Sequence, residues 1–119
     1  MKPIPVTVSP KKYYALVLET LKPIYPFSGL TGNDTKVLAL ILFYTNHHLD
    51  KGYEDMNRLV FDYDSRLVMR EELNMKLAGY NNCITSLRKL GILEGKKIKP
   101  QFILSPDKDN VISYQFNII

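Results

Sequence analysis

Hydrophobic residues in the first half of the chain recur every three to four positions, which is the spacing of amphipathic helices. A first helix is predicted from Ser9 to about Leu21, because Ser9 suits the N-cap and Pro10 the first helical position. Its apolar stripe consists of Tyr14, Val17, Leu18 and Leu21. The chain before this helix contains two prolines and is predicted to be a short edge strand at best, or an extended arm.

A second helix is predicted from Thr31 to about His48. Thr31 and Asp34 form a capping-box pattern, with Leu30 as the preceding staple residue. The broad apolar face of this helix makes it the expected centre of the core; it comprises Val37, Leu38, Ile41, Leu42, Tyr44 and Thr45. The acidic connector Asp50–Asp64 follows, with a possible short helix at Glu54–Val60 and Phe61 anchored in the core.

The stretch Ser65–Lys99 predicts a short helix, a tight turn, a second helix and the start of a hairpin. The short helix, capped by Asp64 or Ser65, is expected to bury its apolar side chains and to leave the charged ones in water. The buried set is Leu67, Val68 and Leu73, and the solvated set is Arg66, Arg70, Glu71 and Glu72.

The second of these helices is predicted from Lys76 to Leu90. Tyr80, Ile84 and Leu87 share its buried side, and Gly91 is placed for a left-handed C-terminal cap. The opposite side is polar without being acidic and consists of Ala78, Asn82, Thr85, Ser86 and Lys89, flanked by Asn81 and Arg88. A polar, non-acidic helix face of this kind is suited to contact a nucleic-acid groove.

Strands are predicted after Gly91. Ile92 and Leu93 begin the first, the segment 94–97 forms a tight turn, and the chain returns through Phe102. A final strand, in which Ile112, Tyr114, Phe116 and Ile118 alternate with polar residues, is expected to pair antiparallel with the Phe102 segment. The predicted fold is therefore α+β, with about four to five helices and a C-terminal two- or three-stranded antiparallel sheet.

Length and composition refine this picture. A chain of 119 residues that is 45% hydrophobic is expected to form one globular domain, with an N-terminal arm and helix (1–30) preceding the main body (31–119). The longest apolar run is far shorter than a membrane span, and prolines interrupt any signal-peptide pattern. These features predict a cytoplasmic protein without a membrane partner. The single Cys83 cannot form an intramolecular disulfide and is expected to be buried.

Positive charge is concentrated in one segment. Residues 65–99 carry eight basic and three acidic side chains, a net charge of +5, whereas the whole chain carries +4. Such an excess of positive charge on the predicted helix and hairpin suits contacts with phosphates. The alternative is that these basic side chains simply form a solvated surface without a ligand.

Enzymatic and metal sites are not indicated. His47 and His48 are adjacent, so their side chains point about 100° apart on a helix and are poor joint ligands. The aspartates between Asp50 and Asp64 do not follow calcium-loop spacing. Catalytic triads, phosphate-binding glycine loops and zinc patterns are absent from the sequence. We therefore expect a non-enzymatic protein without a cofactor.

Arg70–Leu93 and the hairpin after it resemble the winged helix-turn-helix superfamily. The segment LRKLGIL (Leu87–Leu93) is similar to the end of a recognition helix that leads into the first wing strand. More loosely, the order of YYALVLETLKPI, LTGNDTKVLALILFY, FDYDSRLVMREELNM and NNCITSLRKLGIL resembles small proteins of tailed phages, especially those infecting Bacteroidota.

The resemblance implies a winged-helix protein that binds double-stranded DNA, with its second helix in the major groove and its wing on the backbone. The residues then expected at base edges are Asn81, Asn82, Thr85 and Arg88, and those at phosphates are Lys89, Lys96, Lys97 and Lys99. A phage or mobile-element regulator or replication accessory fits this description. Two residues differ from those expected in a helix that recognises bases strongly. Lys76 is an unfavourable N-cap, and Gly79 in the first helical turn weakens the start of the helix.

A virion structural component is the alternative function, with the winged helix serving as a scaffold for contacts around a head, portal or neck. In that case the partners are other phage structural proteins or further copies of the chain, and its location is the virion.

Overall fold

A computed structural model describes residues 9–104 of the chain, which adopt an α+β fold of five α-helices followed by a small antiparallel sheet. The helices are α1 (Pro10–Leu21), α2 (Gly32–His47), α3 (Tyr53–Val60), α4 (Tyr63–Leu73) and α5 (Leu77–Lys89). The strands are β1 (Leu93–Glu94) and β2 (Lys97–Ile98). The predicted arm before residue 9 and the predicted strand at 112–118 lie outside the described residues.

Helix α2 lies at the centre of the fold and packs against α1, α3, α4 and α5. Its start is fixed by the predicted capping box: Thr31 Oγ1 accepts a hydrogen bond from the Asp34 N–H, and an Asp34 carboxylate oxygen accepts one from the Thr31 N–H, both at 3.1 Å. Residues 37–42 are all buried, a wider surface than the predicted face, because α2 has neighbours on several sides. The prediction that this helix is the centre of the core is confirmed.

Helix α1 packs mainly on α2, as its predicted stripe requires. All four residues of that stripe are buried: Tyr14, Val17, Leu18 and Leu21. Ser9 occupies the N-cap position, but its side chain makes no capping hydrogen bond.

Helix α4 differs from the prediction in its start and in its buried face. Its N-cap is Asp62, whose carboxylate accepts a hydrogen bond from the Ser65 N–H at 2.7 Å. Asp64 and Ser65 are therefore not the cap. Leu67 and Val68, predicted to be buried, are 38% and 45% exposed, whereas Met69 is fully buried.

Two arginines explain the orientation of α4. Its inner stripe consists of Arg66, Met69, Arg70 and Leu73, at the i, i+3, i+4, i+7 spacing of one helix face. The prediction placed both arginines in water, but they are half-buried. The long aliphatic stem of arginine tolerates such burial while its head remains polar. The guanidinium of Arg70 is satisfied by donating from Nε to the Met75 carbonyl oxygen at 3.3 Å.

Helix α5 confirms the predicted buried side. Tyr80, Ile84 and Leu87 are buried, together with Cys83. Lys76 at the N-cap makes no side-chain cap, as expected of lysine. At the other end Gly91 has φ +80°, its N–H donates to Arg88 O, and the Ile92 N–H donates to Leu87 O, both at 3.0 Å. These two bonds form the Schellman motif that the glycine predicted.

The hairpin pairs Leu93 with Ile98 and Glu94 with Lys97, which leaves a two-residue loop. Gly95 in this loop has φ +62°, a conformation that favours glycine. The chain then forms a 3-10 turn at Pro100–Phe102, so the described part of the segment returning through Phe102 does not continue β2. Proline cannot donate to a strand ladder, and the Phe102 N–H donates instead to Lys99 O at 2.9 Å.

Candidate nucleic-acid interface

The polar side of α5 faces solvent along its whole length. Asn82, Thr85 and Lys89 are exposed on the side opposite the buried Tyr80, Ile84 and Leu87, and Asn81 and Arg88 are exposed on its flank. The helix is thus held by one apolar face and offers amide, hydroxyl and basic groups on the other.

Arg88 joins this helix face to the hairpin. Its Nε donates a hydrogen bond to the carbonyl oxygen of Gly95 at 2.9 Å, across a sequence separation of seven residues. The hairpin loop therefore lies against the C-terminal half of α5, next to the exposed polar side. Lys96, the residue after Gly95, is brought to the same surface.

An open cleft of about 350 Å³ lies between α4, α5 and the hairpin loop. Four of the predicted site residues line it: Asn81, Thr85, Arg88 and Lys96. The remaining lining residues are Phe61, Arg66, Tyr80 and Ile84. None of these eight lining residues is acidic, and three of them, Arg66, Arg88 and Lys96, are cationic. The concave surface of the cleft is therefore positively charged.

Two hydrogen-bond donors on the cleft residues are buried and unpaired. The hydroxyl of Tyr80 and Nε of Arg66 make no hydrogen bond to any residue that the structure describes. Burial raises the pKa of Tyr80 to about 12, although the nearby Arg66 charge opposes part of that rise. The hydroxyl therefore remains protonated at neutral pH and available as a donor.

The other predicted phosphate ligands lie outside this cleft. The ammonium of Lys97 contacts the carboxylate of Glu54 on α3 at 2.7 Å, in an exposed ion pair, and this partner raises the pKa of Lys97. The Nζ of Lys99 lies 3.8 Å from the position that a Cβ on Gly91 would take, near the end of α5. Lys89 remains exposed on α5 itself.

Arg66 is the site residue that the sequence interpretation missed. Because Arg66 is charged and is followed by the apolar Leu67 and Val68, the sequence analysis placed Arg66 in water and the two apolar residues in the core. The available signal was the i, i+3 spacing of Arg66 and Met69, which places them on one face only if the arginine stem is counted as apolar.

The two histidines make contact with each other and lie away from this cleft. Their rings lie 5.0 Å apart in an edge-to-face arrangement, and burial lowers the pKa of His48. Within residues 9–104 there is no group of His, Cys, Asp or Glu side chains arranged to hold a metal ion.

No helix in that range is long and apolar enough to cross a bilayer.

Comparisons with protein-family models, curated proteins and solved structures found no match to this chain.

Proposed function

We propose that this fold is a winged helix and that it binds double-stranded DNA through α5 and the hairpin. In this proposal the protein is non-enzymatic and acts as a regulator or replication accessory of a phage or mobile element. Helix α5 enters the major groove, and the hairpin contacts the sugar-phosphate backbone.

The observation that carries the proposal is the Arg88–Gly95 hydrogen bond. It places the basic hairpin loop beside the exposed polar side of α5, so that one continuous surface offers both kinds of contact that DNA requires. Asn81 and Asn82 can pair with adenine, and Thr85 with several bases. Lys89 and Lys96 supply phosphate contacts at the two edges of the surface.

The helix start suggests modest sequence specificity. Lys76 provides no cap and Gly79 weakens the first turn, so the N-terminal part of α5 is poorly stabilised. Base readout in a helix-turn-helix depends on the N-terminal residues of the reading helix. Backbone contacts are therefore expected to contribute most of the affinity.

Fluorescence anisotropy with a labelled duplex tests the proposal. At ~50 mM salt, Lys89→Gln combined with Lys96→Gln is expected to weaken binding about tenfold. The matched control is Lys12→Gln with Lys22→Gln, which removes the same charge from exposed positions on and just after α1. Equal affinity of the two double variants, or no binding by the wild type, would contradict the proposal.

Protein contact within a virion is a second candidate function, favoured by α4. Tyr63, Leu67 and Val68 are 70%, 38% and 45% exposed, which is unusual for three large apolar residues within six positions. Mass spectrometry of purified phage particles distinguishes the candidates. The chain should be present in the particles if it is a structural component, and absent if it acts only on DNA.

A further inference from the structure

We propose that the cleft between α4, α5 and the hairpin loop is a phosphate-binding site, in which the guanidinium of Arg66 and the hydroxyl of Tyr80 hold the anion. Arg88 and Lys96 line this cleft and also belong to the proposed DNA-binding surface, whereas Arg66 and Tyr80 belong to the cleft alone. Variants of Arg66 and Tyr80 therefore test this site separately from DNA binding by that surface.

The unpaired donors are the first argument. Folded proteins rarely leave buried N–H and O–H groups without an acceptor, because burial removes their hydrogen bonds to water. Tyr80 is fully buried, yet its hydroxyl has no partner among the described residues, and the same holds for Nε of Arg66. Both groups belong to residues that line the cleft. Because both atoms are almost inaccessible to solvent, an anion in the cleft satisfies them only when the side chains of Arg66 and Tyr80 turn towards it.

The charge of the lining identifies that acceptor as an anion. Arg66, Arg88 and Lys96 reach the cleft from three separate elements, and no acidic side chain among the described residues lines it. A carboxylate of the protein itself would otherwise neutralise such a cluster, as Glu54 does for Lys97.

The arrangement of donors favours a phosphate group over a flat carboxylate. The charged donors come from three separate elements, α4, α5 and the hairpin, and a phosphate has more acceptor oxygens than a carboxylate with which to contact them. Arginine is suited to this role because its planar guanidinium donates two parallel hydrogen bonds to a phosphate. The volume of about 350 Å³ exceeds what one phosphate needs and leaves room for the group to which it is attached.

Two sources can supply this chemistry: a backbone phosphate of bound DNA, or a free phosphorylated small molecule. Backbone amide NMR spectra of the full chain distinguish them. One sample is titrated with inorganic phosphate to ~20 mM, with chloride holding the ionic strength constant, and another with a DNA duplex. Inorganic phosphate is expected to shift the amide signals of Arg66, Tyr80, Asn81 and Lys96. Asn81 and Lys96 belong to the proposed DNA-binding surface, so the signals of Arg66 and Tyr80 distinguish the sources. If the duplex shifts these two signals as phosphate does, the source is the backbone, whereas shifts of the two with phosphate alone indicate a free ligand.

Three variants test the assigned residues. Tyr80→Phe removes an unpaired hydroxyl and keeps the ring, so it is expected to fold normally and to bind phosphate about tenfold more weakly. Arg66→Gln is expected to lose at least as much. Lys96→Gln alters the site from an exposed loop, without affecting the core, and should weaken binding several-fold.

Matched controls are available on other elements. Tyr14→Phe removes the hydroxyl of a buried tyrosine in α1, and Arg58→Gln removes an exposed guanidinium from α3. Both should bind phosphate like the wild type. The proposal is overturned if inorganic phosphate shifts no cleft signal beyond the chloride control. It is equally overturned if Tyr80→Phe and Arg66→Gln bind phosphate as the controls do, even where the duplex still binds.

Discussion

The side-chain oxygen of Asn57 accepts a buried hydrogen bond from the Ile98 N–H at 2.9 Å, which joins α3 to the second hairpin strand. Tyr53, one helical turn earlier, donates its hydroxyl to the Ile98 carbonyl oxygen at 2.6 Å. The Asn57 amide in turn donates to the Tyr53 carbonyl oxygen at 2.9 Å. Both backbone polar groups of Ile98 are thus satisfied by α3. A hairpin of two-residue strands is too short to position itself, so α3 sets its place beside α5.

Replacing Asn57 is expected to destabilise the whole fold. Asn57→Ala leaves the buried Ile98 N–H without its acceptor, and the expected loss is about 2 kcal/mol in the free energy of unfolding. Urea denaturation measures this loss. Asn33→Ala, at an exposed position of α2, serves as the control and should change stability by less than ~0.5 kcal/mol. Equal effects at the two positions would mean that α3 does not hold the hairpin.

The orientation of α4 predicts opposite sensitivities at two nearby apolar residues. Met69→Ala removes a fully buried side chain and is expected to cost about 2 to 4 kcal/mol. Leu67→Ala alters an exposed position and is expected to cost less than ~1 kcal/mol. Denaturation of the two variants side by side tests the assignment. A larger loss at Leu67 would support the face predicted from the sequence.

Periodicity predicted the helices whose buried faces are made of apolar residues alone. The stripe of α1 and the buried side of α5 follow from spacing, and Gly91 and Thr31 mark helix ends through local chemistry. Helix α4 could not be predicted in this way, because Arg66 and Arg70 occupy its inner stripe. Arg70 donates to the carbonyl oxygen of Met75, five residues further along the chain, and the spacing of apolar residues does not indicate that bond.

Only part of the candidate site could be predicted from the sequence. The exposure of Thr85 follows from the helix period, since it lies opposite the buried residues, and Asn81 and Arg88 lie on the flank of that polar side. The pairing of Lys97 with Glu54 joins residues 43 positions apart, and the cleft beside Arg66 needs three elements to meet. Sequence spacing contains no information on either arrangement.

The two N-caps at Thr31 and Ser9 are expected to differ in their contribution to stability. Thr31→Ala removes the side chain that accepts from the Asp34 N–H, and the expected loss is about 1 kcal/mol. Ser9→Ala should have almost no effect, because the Ser9 side chain makes no capping hydrogen bond. Thermal unfolding of both variants measures the difference. A loss of similar size at Ser9 would contradict this account of α1.

His48 is expected to make stability depend on pH. Burial is the main cause of its lowered pKa, so the fold favours the neutral imidazole. The stabilising contribution is therefore complete above the unfolded pKa of about 6.5 and is lost as pH falls through the lower folded value. His48→Gln should flatten the fall in stability between about pH 7 and pH 5. A pH profile of this variant identical to that of the wild type would show that His48 is not the responsible group.

The salt dependence of DNA affinity tests the proposed function most directly. The two proposed phosphate contacts, from Lys89 and Lys96, contribute about −1.8 to the slope of log affinity against log salt concentration. Removing the charges of Lys89 and Lys96 together should reduce the steepness of that slope by about 1.8. An affinity that does not change with salt, or the absence of any binding at ~50 mM salt, would contradict the proposal that α5 and the hairpin form a DNA-binding surface.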